Sequence, residues 1–293
     1  MTVDRLINIL AAITLIEMMV TIGLGVIWSD VLRVASNWSL VARAMLANYI
    51  LVPAAAVGLL LLFHANPMVA AGFLVAAVCP GAPYGPPLTA IAKGNVPASV
   101  GLMVILAGSS AIIAPLLLQF LLPLVAGDAP LKISVVKMVG TLLGAQLLPL
   151  CVGLLLRHRH PTLADRLRGP AGVLSTSLNL LMLAVILFAQ FRVLAEIRLI
   201  SYVGMLSLLT ATMVAGALVS RQTSDEQKGL VITTSVRNVG VSLVIVTSSF
   251  PGTAAITSAT IYALFQTIVM VVIAVVWGRL TPPGIVAVKM KAA

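Results

Sequence analysis

The sequence predicts an all-α integral membrane protein with about nine transmembrane helices, two of them broken inside the membrane. Hydrophobic residues make up 60% of the 293-residue chain, and charged residues make up only 9%. A soluble protein carries about 25% charged residues, because it needs a polar surface. The second observation is that Gly, Pro and polar residues interrupt two of the apolar segments, where a continuous helix would otherwise be expected.

Hydropathy and length define the individual spans. At about 20 residues for each crossing, the chain has room for nine or ten helices joined by short loops. The first span is too long for the core of a signal peptide and lacks a small-residue cleavage site, so we interpret it as a helix. The nine predicted spans cover residues 6–28, 41–63, 67–92, 97–122, 133–156, 171–191, 198–219, 229–250 and 254–278.

The distribution of Lys and Arg predicts the orientation. With the N-terminus outside, twelve of the 18 basic residues fall in cytoplasmic loops or in the C-terminal tail, and five fall outside. Basic loops stay on the cytoplasmic side. We therefore expect a multi-pass protein of the plasma membrane with the tail after Arg279 in the cytoplasm. The net charge of +10 then indicates topology rather than nucleic-acid binding. The longest basic loop, residues 157–168, fits a positive-inside anchor.

The third span contains the stretch Cys79–Pro87, in which six of nine residues are Gly or Pro. An α-helix does not continue through its four prolines, because each lacks the amide hydrogen that the helix needs. Non-helical backbone at membrane depth is tolerated only where protein or a wet cavity covers it. In transporters such broken helices occur in corresponding positions of two repeats and form the substrate site.

The eighth span supplies the partner of this break. The polar residues that interrupt it are Thr233, Thr234, Ser235, Arg237 and Asn238. Arg237 is the one Lys or Arg clearly inside a span, and its charge requires that it face protein or water. We expect residues 6–128 and 131–278 to form two inverted repeats, the first without its initial helix, whose breaks cross antiparallel. Residues 1–293 then form one transmembrane transporter domain.

Several motifs, taken in order, resemble those of the bile acid:sodium symporter family. Cys79-Pro80-Gly81 followed by Ala92-Lys93-Gly94-Asn95-Val96 is similar to the family's CPGG-x-x-SN and A-[KR]-G-[ND]-V. Val236-Arg237-Asn238-Val239-Gly240 resembles its second-crossover motif E-x-G-M-Q-N-S-G, and Met18–Leu24 resembles its early M-F-G-M-G-L run. The resemblance implies a panel domain and a core domain, with two discontinuous helices that cross in the core.

The resemblance also implies sodium ligands, and this chain has lost most of them. The equivalent positions here hold Gly85, Pro86, Ser99, Met103, Thr233 and Arg237, with Asn48 in place of a further glutamine. Ser99 keeps a hydroxyl, whereas Thr233 stands where the family has its one anionic ligand, a glutamate. A guanidinium among these positions repels a cation, so we do not expect sodium coupling through the family's usual sites.

Three roles are open for Arg237. Its fixed charge could replace the cation and hold the crossover together, or its planar guanidinium could bind the carboxylate of an organic anion. It could instead pair with Glu17, the only carboxylate well inside a span, which is also a candidate proton-coupling site. The expected substrate-binding residues are Arg237, Asn238, Tyr84, Asn48 and Thr233. Asn179 and Gln266 are expected to hydrogen-bond between helices.

The sequence thus favours a secondary transporter that moves a small organic anion by alternating access. An intramembrane enzyme would need clustered carboxylates, a pair of His residues or metal-ligand spacing, and the spans contain none of these. We therefore expect no catalytic residue, metal or cofactor. A sensor or channel-like protein derived from a transporter is the third hypothesis, because the sodium ligands are replaced. The expected partners are a carboxylate or sulfonate, the lipid bilayer and, through Glu17, a proton.

Overall fold

Helices, most of them apolar, form all the regular structure in the residues that can be described. The computed structural model describes residues 3–126, 133–189, 199–220 and 224–281. The helices are α1 (Val3–Gly25), α2 (Trp28–Ser36), α3 (Trp38–Leu46), α4 (Val52–Leu62), α5 (Pro67–Ala77), α6 (Gly85–Ile91), α7 (Val96–Ala126), α8 (Val135–Leu142), α9 (Leu148–Arg159), α10 (Pro161–Ala189), α11 (Leu199–Val219), α12 (Ser224–Ser235), α13 (Val239–Ser249) and α14 (Ala254–Leu280). Two π-helical turns, Ala47–Leu51 and Leu143–Leu147, join α3 to α4 and α8 to α9.

Within the described ranges, seven helical stretches are long and apolar enough to cross a membrane. The third predicted span is instead formed by the two short helices α5 and α6, and the sixth lies in α10 except for residues 190–191, which are outside the described ranges. Seven candidate spans are therefore established, and the total of nine stays a prediction. Several basic residues used to predict the orientation lie outside the described residues, among them Lys132, Arg192, Arg198, Lys289 and Lys291.

The first break is shorter than the sequence predicts. Helix α5 ends at Ala77 and α6 begins at Gly85, so only residues 78–84 leave the helical conformation. Pro86 and Pro87 do not interrupt a helix; they lie in the first turn of α6. The amide groups of a first turn have no acceptor inside the helix, so proline loses no hydrogen bond there.

The second break is also narrower than predicted. Thr233, Thr234 and Ser235 belong to the last turns of α12, and only residues 236–238 separate α12 from α13. The stretch Asp225–Ser249 lies at the centre of the protein, since 94% of its most apolar window is buried, against 33–56% for the other six candidate spans. The polar residues around this break are therefore surrounded by protein rather than by lipid.

Helices α1, α9 and α10 pack against one another and form the first group of helices. Gly23 and Gly153 face each other where α1 crosses α9, and a β-carbon on Gly153 would lie only 2.4 Å from the carbonyl oxygen of Val20. Small residues at a helix crossing let two backbones approach closely in a membrane. Helices α1 and α9 are thus in direct backbone contact, and α10 packs against both.

The two broken helices lie in a second group. Helix α5 packs on α7 and α14, α6 packs on α7 and α12, and α11 packs on α4 and α12. The two groups meet where α1 contacts α13, and there Thr247 Oγ1 lies 3.3 Å from Asn8 Oδ1. Both breaks are therefore held within one set of packed helices, and α1 runs alongside them.

Candidate functional site

The two breaks contact each other directly through Asn238. Its backbone N–H donates to the carbonyl of Cys79 at 2.8 Å, and its side-chain Nδ2 donates to the carbonyl of Gly81 at 3.1 Å. Its Oδ1 accepts from the backbone N–H of Val241 at 3.2 Å, which caps the start of α13. One side chain thus starts the second half-helix and binds backbone carbonyls that the first break leaves free.

Arg237 lies beside this contact, and its side chain is almost completely enclosed. It is only 1% exposed, and it is among the largest fully buried side chains in the described part of the chain. Its guanidinium donates to the carbonyl of Ala77 at 3.0 Å, to Asn48 Oδ1 at 2.6 Å and to the carbonyl of Thr234. The positive charge is therefore surrounded by neutral oxygen atoms that belong to three different helical segments.

Two of these oxygen atoms come from the C-terminal ends of half-helices. Ala77 is the last residue of α5, and Thr234 is the second-last residue of α12. Carbonyl groups in the last turn of a helix have no partner inside the helix, and the helix dipole gives that end a partial negative charge. The guanidinium of Arg237 thus satisfies free carbonyls of both broken helices with a single positive charge.

Neighbouring amide side chains fix the position of Arg237. Asn48, in the first π-helical turn, donates from Nδ2 to the carbonyl of Ala44 at 2.9 Å and to Thr234 Oγ1 at 3.3 Å, so its Oδ1 faces the guanidinium. Gln266 of α14 accepts from the backbone N–H of Arg237 and donates to its carbonyl, both at 3.2 Å. Gln266 thereby supplies hydrogen bonds that the interrupted helix cannot make.

Two further positions of the implied sodium site, Ser99 and Thr233, form a chain of hydroxyl groups with Thr89. Ser99 Oγ lies 3.1 Å from Thr233 Oγ1 and 3.0 Å from Thr89 Oγ1, and all three side chains are buried. Thr89 Oγ1 also lies 2.9 Å from the carbonyl of Gly85. These hydroxyls satisfy one another and a backbone carbonyl, and none of them carries a negative charge.

Pro86 and Met103 provide no polar atom to this chain of hydroxyls. Pro86 is buried in the first turn of α6, and Met103 is buried among apolar side chains, one helical turn after Ser99 on α7. Among the described residues, no group of three His, Cys, Asp or Glu side chains is placed to hold a metal ion. The polar groups described around the two breaks are therefore hydroxyls, amides and carbonyls, and Arg237 carries the only charge among them.

The ion pair between Arg237 and Glu17 is not formed. Glu17 lies on α1, where its Oε1 accepts a hydrogen bond from Thr21 Oγ1 at 2.7 Å. Its second carboxylate oxygen is buried and has no hydrogen-bond partner in the described residues. Of the three roles open for Arg237, the ion pair is thus excluded, and Glu17 keeps one buried oxygen without a partner among the described residues.

Tyr84 connects the first break to the other group of helices. Its hydroxyl accepts a hydrogen bond from Asn179 Nδ2, and Asn179 lies on α10. Asn179 also contacts the sulfur of Met18 on α1 at 4.0 Å. Tyr84 is therefore not part of the group of residues around Arg237. It lies at the boundary between the broken helices and the group formed by α1, α9 and α10.

The structure brings most of the predicted site residues together. Asn48 contacts Arg237, Asn238 follows Arg237 in the same break, and Ser99 contacts Thr233 one residue before Thr234. Tyr84 lies at the boundary with α1 and α10, and Glu17 contacts only Thr21 of its own helix among the described residues. Thr89 was missed, since a single threonine in an apolar half-helix gives no signal in the sequence. The sequence assigned Gln266 only to contacts between helices, although it binds the backbone of Arg237.

Comparison with known proteins assigns the chain to a family. The model of the Sodium Bile acid symporter family matches residues 12–225, which is almost three quarters of the chain and includes the first break. The match ends before the second break, so Arg237 and Asn238 lie outside it. No curated protein matches the chain significantly. The chain therefore belongs to the sodium bile acid symporter family, and it is a membrane transporter with several membrane-spanning helices.

Proposed function

We propose that this protein is a secondary transporter of a small organic anion, and that Arg237 takes the place of the coupling cation. The observation that carries the proposal is the set of oxygen atoms around the guanidinium, which come from Ala77, Thr234 and Asn48. In transporters with broken helices, half-helix C-termini and unwound carbonyls coordinate the coupling cation. Here a covalently attached cation makes these contacts, so the crossover holds together without a bound ion.

Charge supports an anionic substrate. Arg237 has no acidic partner in the described part of the chain, so its positive charge is not neutralised by the protein. Its Nε is buried and has no hydrogen-bond partner, which leaves a donor directed away from the three oxygen atoms. The N-terminus of α13 begins two residues later and adds a partial positive charge. A carboxylate or sulfonate is the substrate class that this electrostatic environment favours.

We further propose that transport proceeds by alternating access, with α1, α9 and α10 moving relative to the broken helices. The hydrogen bond between Tyr84 and Asn179 crosses that boundary, and so does the contact between Thr247 and Asn8. Glu17 lies on α1, the helix that contacts α13, and one of its carboxylate oxygens is buried without a partner in the described residues. It is our candidate for a proton-coupling group, because a protonated carboxyl would no longer leave a charge unpaired in the membrane.

The substrate class is tested with purified protein. We expect members of a panel of small carboxylates and sulfonates to raise its melting temperature, and we expect matched neutral amides to leave it unchanged. The best ligand should then enter proteoliposomes with saturable kinetics, and unlabelled ligand inside the vesicles should accelerate its entry. Uptake that does not saturate and is not accelerated would indicate a channel instead. Chemical conversion of the ligand would indicate an enzyme.

Sodium dependence is tested separately. We expect the melting temperature, the affinity for the ligand and the uptake rate to be equal in sodium, potassium and choline salts at the same ionic strength. The reason is that the hydroxyls of Thr89, Ser99 and Thr233 bind one another, and that Arg237 already binds the free carbonyls at the two breaks. A saturable rise in stability that is specific for sodium would contradict the proposal that Arg237 replaces the cation.

The orientation is a further prediction. We expect the N-terminus outside and the C-terminus in the cytoplasm of an intact cell, since most basic residues then lie on the cytoplasmic side. A small tag at each end, probed with an impermeant reagent before and after permeabilisation, measures this. Labelling of both ends only after permeabilisation would contradict an odd number of spans, and therefore also the total of nine.

A further inference from the structure

The geometry points to a binding site for one anionic phospholipid in a groove between α2 and the turn that joins α9 to α10. The groove has a volume of about 370 Å³. Its apolar side is formed by Ile27, Trp28 and Leu32, and the other side is formed by Arg157, His158 and Pro161. The groove lies at the end of the helices where α1 and α9 finish and α10 begins. It is separate from the site around Arg237.

The apolar side of the groove belongs to α2, which has one face buried against the protein and an opposite face that is exposed. Val31 and Val34 of α2 are buried, and Val34 packs on Gly101 of α7. Trp28 and Leu32 lie on the opposite side and are 45% and 49% exposed. A helix of this kind lies in the membrane interface, where Trp residues are enriched at the level of the lipid headgroups. Acyl chains of the bilayer therefore meet Trp28 and Leu32 directly.

The polar side of the groove lies where the apolar part of α9 ends. The last turn of α9 carries Arg157, His158 and Arg159, immediately after Leu156. Arg157 is only 17% exposed and pairs with Asp165 of α10, which is 62% exposed. The carboxylate can thus exchange this partner for water at little cost, whereas the guanidinium stays in the groove.

The surroundings of the groove carry excess positive charge. Arg33 pairs with Asp30 at 3.0 Å, and Arg157 pairs with Asp165. Three further arginines, Arg159, Arg166 and Arg168, have no acidic partner among the described residues. A basic group near an anionic membrane surface contributes about 1 kcal/mol of attraction.

A lipid fits this combination better than a free anion does. An inorganic phosphate would be bound by the arginines and would gain nothing from Trp28 and Leu32. A phospholipid with a net negative headgroup uses both sides of the groove, its phosphate at Arg157 and its acyl chain along α2. The occupant of the groove is therefore a lipid of the leaflet that surrounds this end of the helices.

The test compares lipid retention by native mass spectrometry, with protein taken from bilayers of phosphatidylcholine and phosphatidylglycerol. We expect one phosphatidylglycerol to be retained preferentially and to raise the melting temperature relative to phosphatidylcholine alone. Arg157→Gln should weaken this retention about fivefold, the equivalent of one basic contact at the membrane surface. Trp28→Ala should weaken retention as well, because it removes the largest apolar side chain of the groove and leaves the charge unchanged.

Two control variants distinguish a specific site from general charge. Asp165→Asn breaks the same ion pair as Arg157→Gln but leaves the guanidinium free, so retention should become stronger rather than weaker. Arg279→Gln removes an equal charge from an exposed residue at the end of α14 and should have no effect. Equal retention of the two lipids, equal losses in Arg157→Gln and Arg279→Gln, or full competition by inorganic phosphate would each overturn the proposal.

Discussion

Arg237→Gln is expected to destabilise the protein by about 3 kcal/mol even when no substrate is present. The guanidinium binds the carbonyls of Ala77 and Thr234 together with Asn48 Oδ1, all within the protein interior. Charged hydrogen bonds are worth about 1.5–3 kcal/mol, and each buried acceptor left without a donor costs about 1–3 kcal/mol. Thermal unfolding of the ligand-free variant measures the loss, with Arg279→Gln as a control that removes an exposed arginine.

The same variant distinguishes the two remaining roles of Arg237. If the guanidinium mainly holds the crossover together, stability falls equally with and without ligand. If it mainly binds the anion, the empty protein stays intact while affinity falls by roughly 1.5–3 kcal/mol. Arg237→Lys should show intermediate stability, because an ammonium keeps the charge but cannot reach three acceptors in the fork geometry of a guanidinium. A melting temperature equal to that of the unchanged protein would contradict the structural role.

Gly81→Ala is expected to have a comparable effect through the backbone. Gly81 has φ = +81°, a conformation that side chains disfavour, and strained backbone of this kind costs about 1–3 kcal/mol. A β-carbon there would also lie 2.3 Å from the backbone nitrogen of Ala107 on α7. The first break would have to move away from α7, and its contact with Asn238 would be lost. The expected result is a protein that folds poorly or loses transport.

Gly58→Ala is the matched control for this substitution. Gly58 lies inside α4, and a β-carbon on it would have no atom within 4 Å. Alanine is about 1 kcal/mol better than glycine in the interior of a helix, so this variant should be neutral or slightly more stable. If Gly81→Ala unfolds at the same temperature as Gly58→Ala, the first break is more adaptable than the described geometry allows.

The sequence located both breaks because proline and charge are rare inside apolar helices. It placed their limits less well, since Pro86 and Pro87 begin a helix instead of ending one. The position of a proline within a helix decides whether it is tolerated, because the amide groups of the first turn have no acceptor inside the helix. Likewise, the hydroxyls of Thr233 and Thr234 predicted an interruption of the helix at these residues, although both are helical.

The site was predictable where a residue is unusual for its surroundings, and not elsewhere. Arg237 and Asn238 stand out in an apolar span, so the sequence alone selected them. Thr89 and Gln266 belong to residue types that occur at many helix contacts, and their roles depend on which faces of α6 and α14 meet the breaks. Such long-range placement depends on packing between helices, which the hydrophobic pattern of one helix does not encode.

A cation that is part of the chain cannot be released on the other side of the membrane. If Arg237 replaces the coupling ion as we propose, this site draws no free energy from a sodium gradient. A monovalent anion that crosses alone then follows the membrane voltage, which is worth about 2.3 kcal/mol per 100 mV. With the cell interior negative by about 100 mV, that energy holds the anion roughly fortyfold more concentrated outside. At any smaller outside excess the transporter acting alone would therefore work as an exporter, and accumulation of the anion inside the cell would need a coupled ion such as a proton.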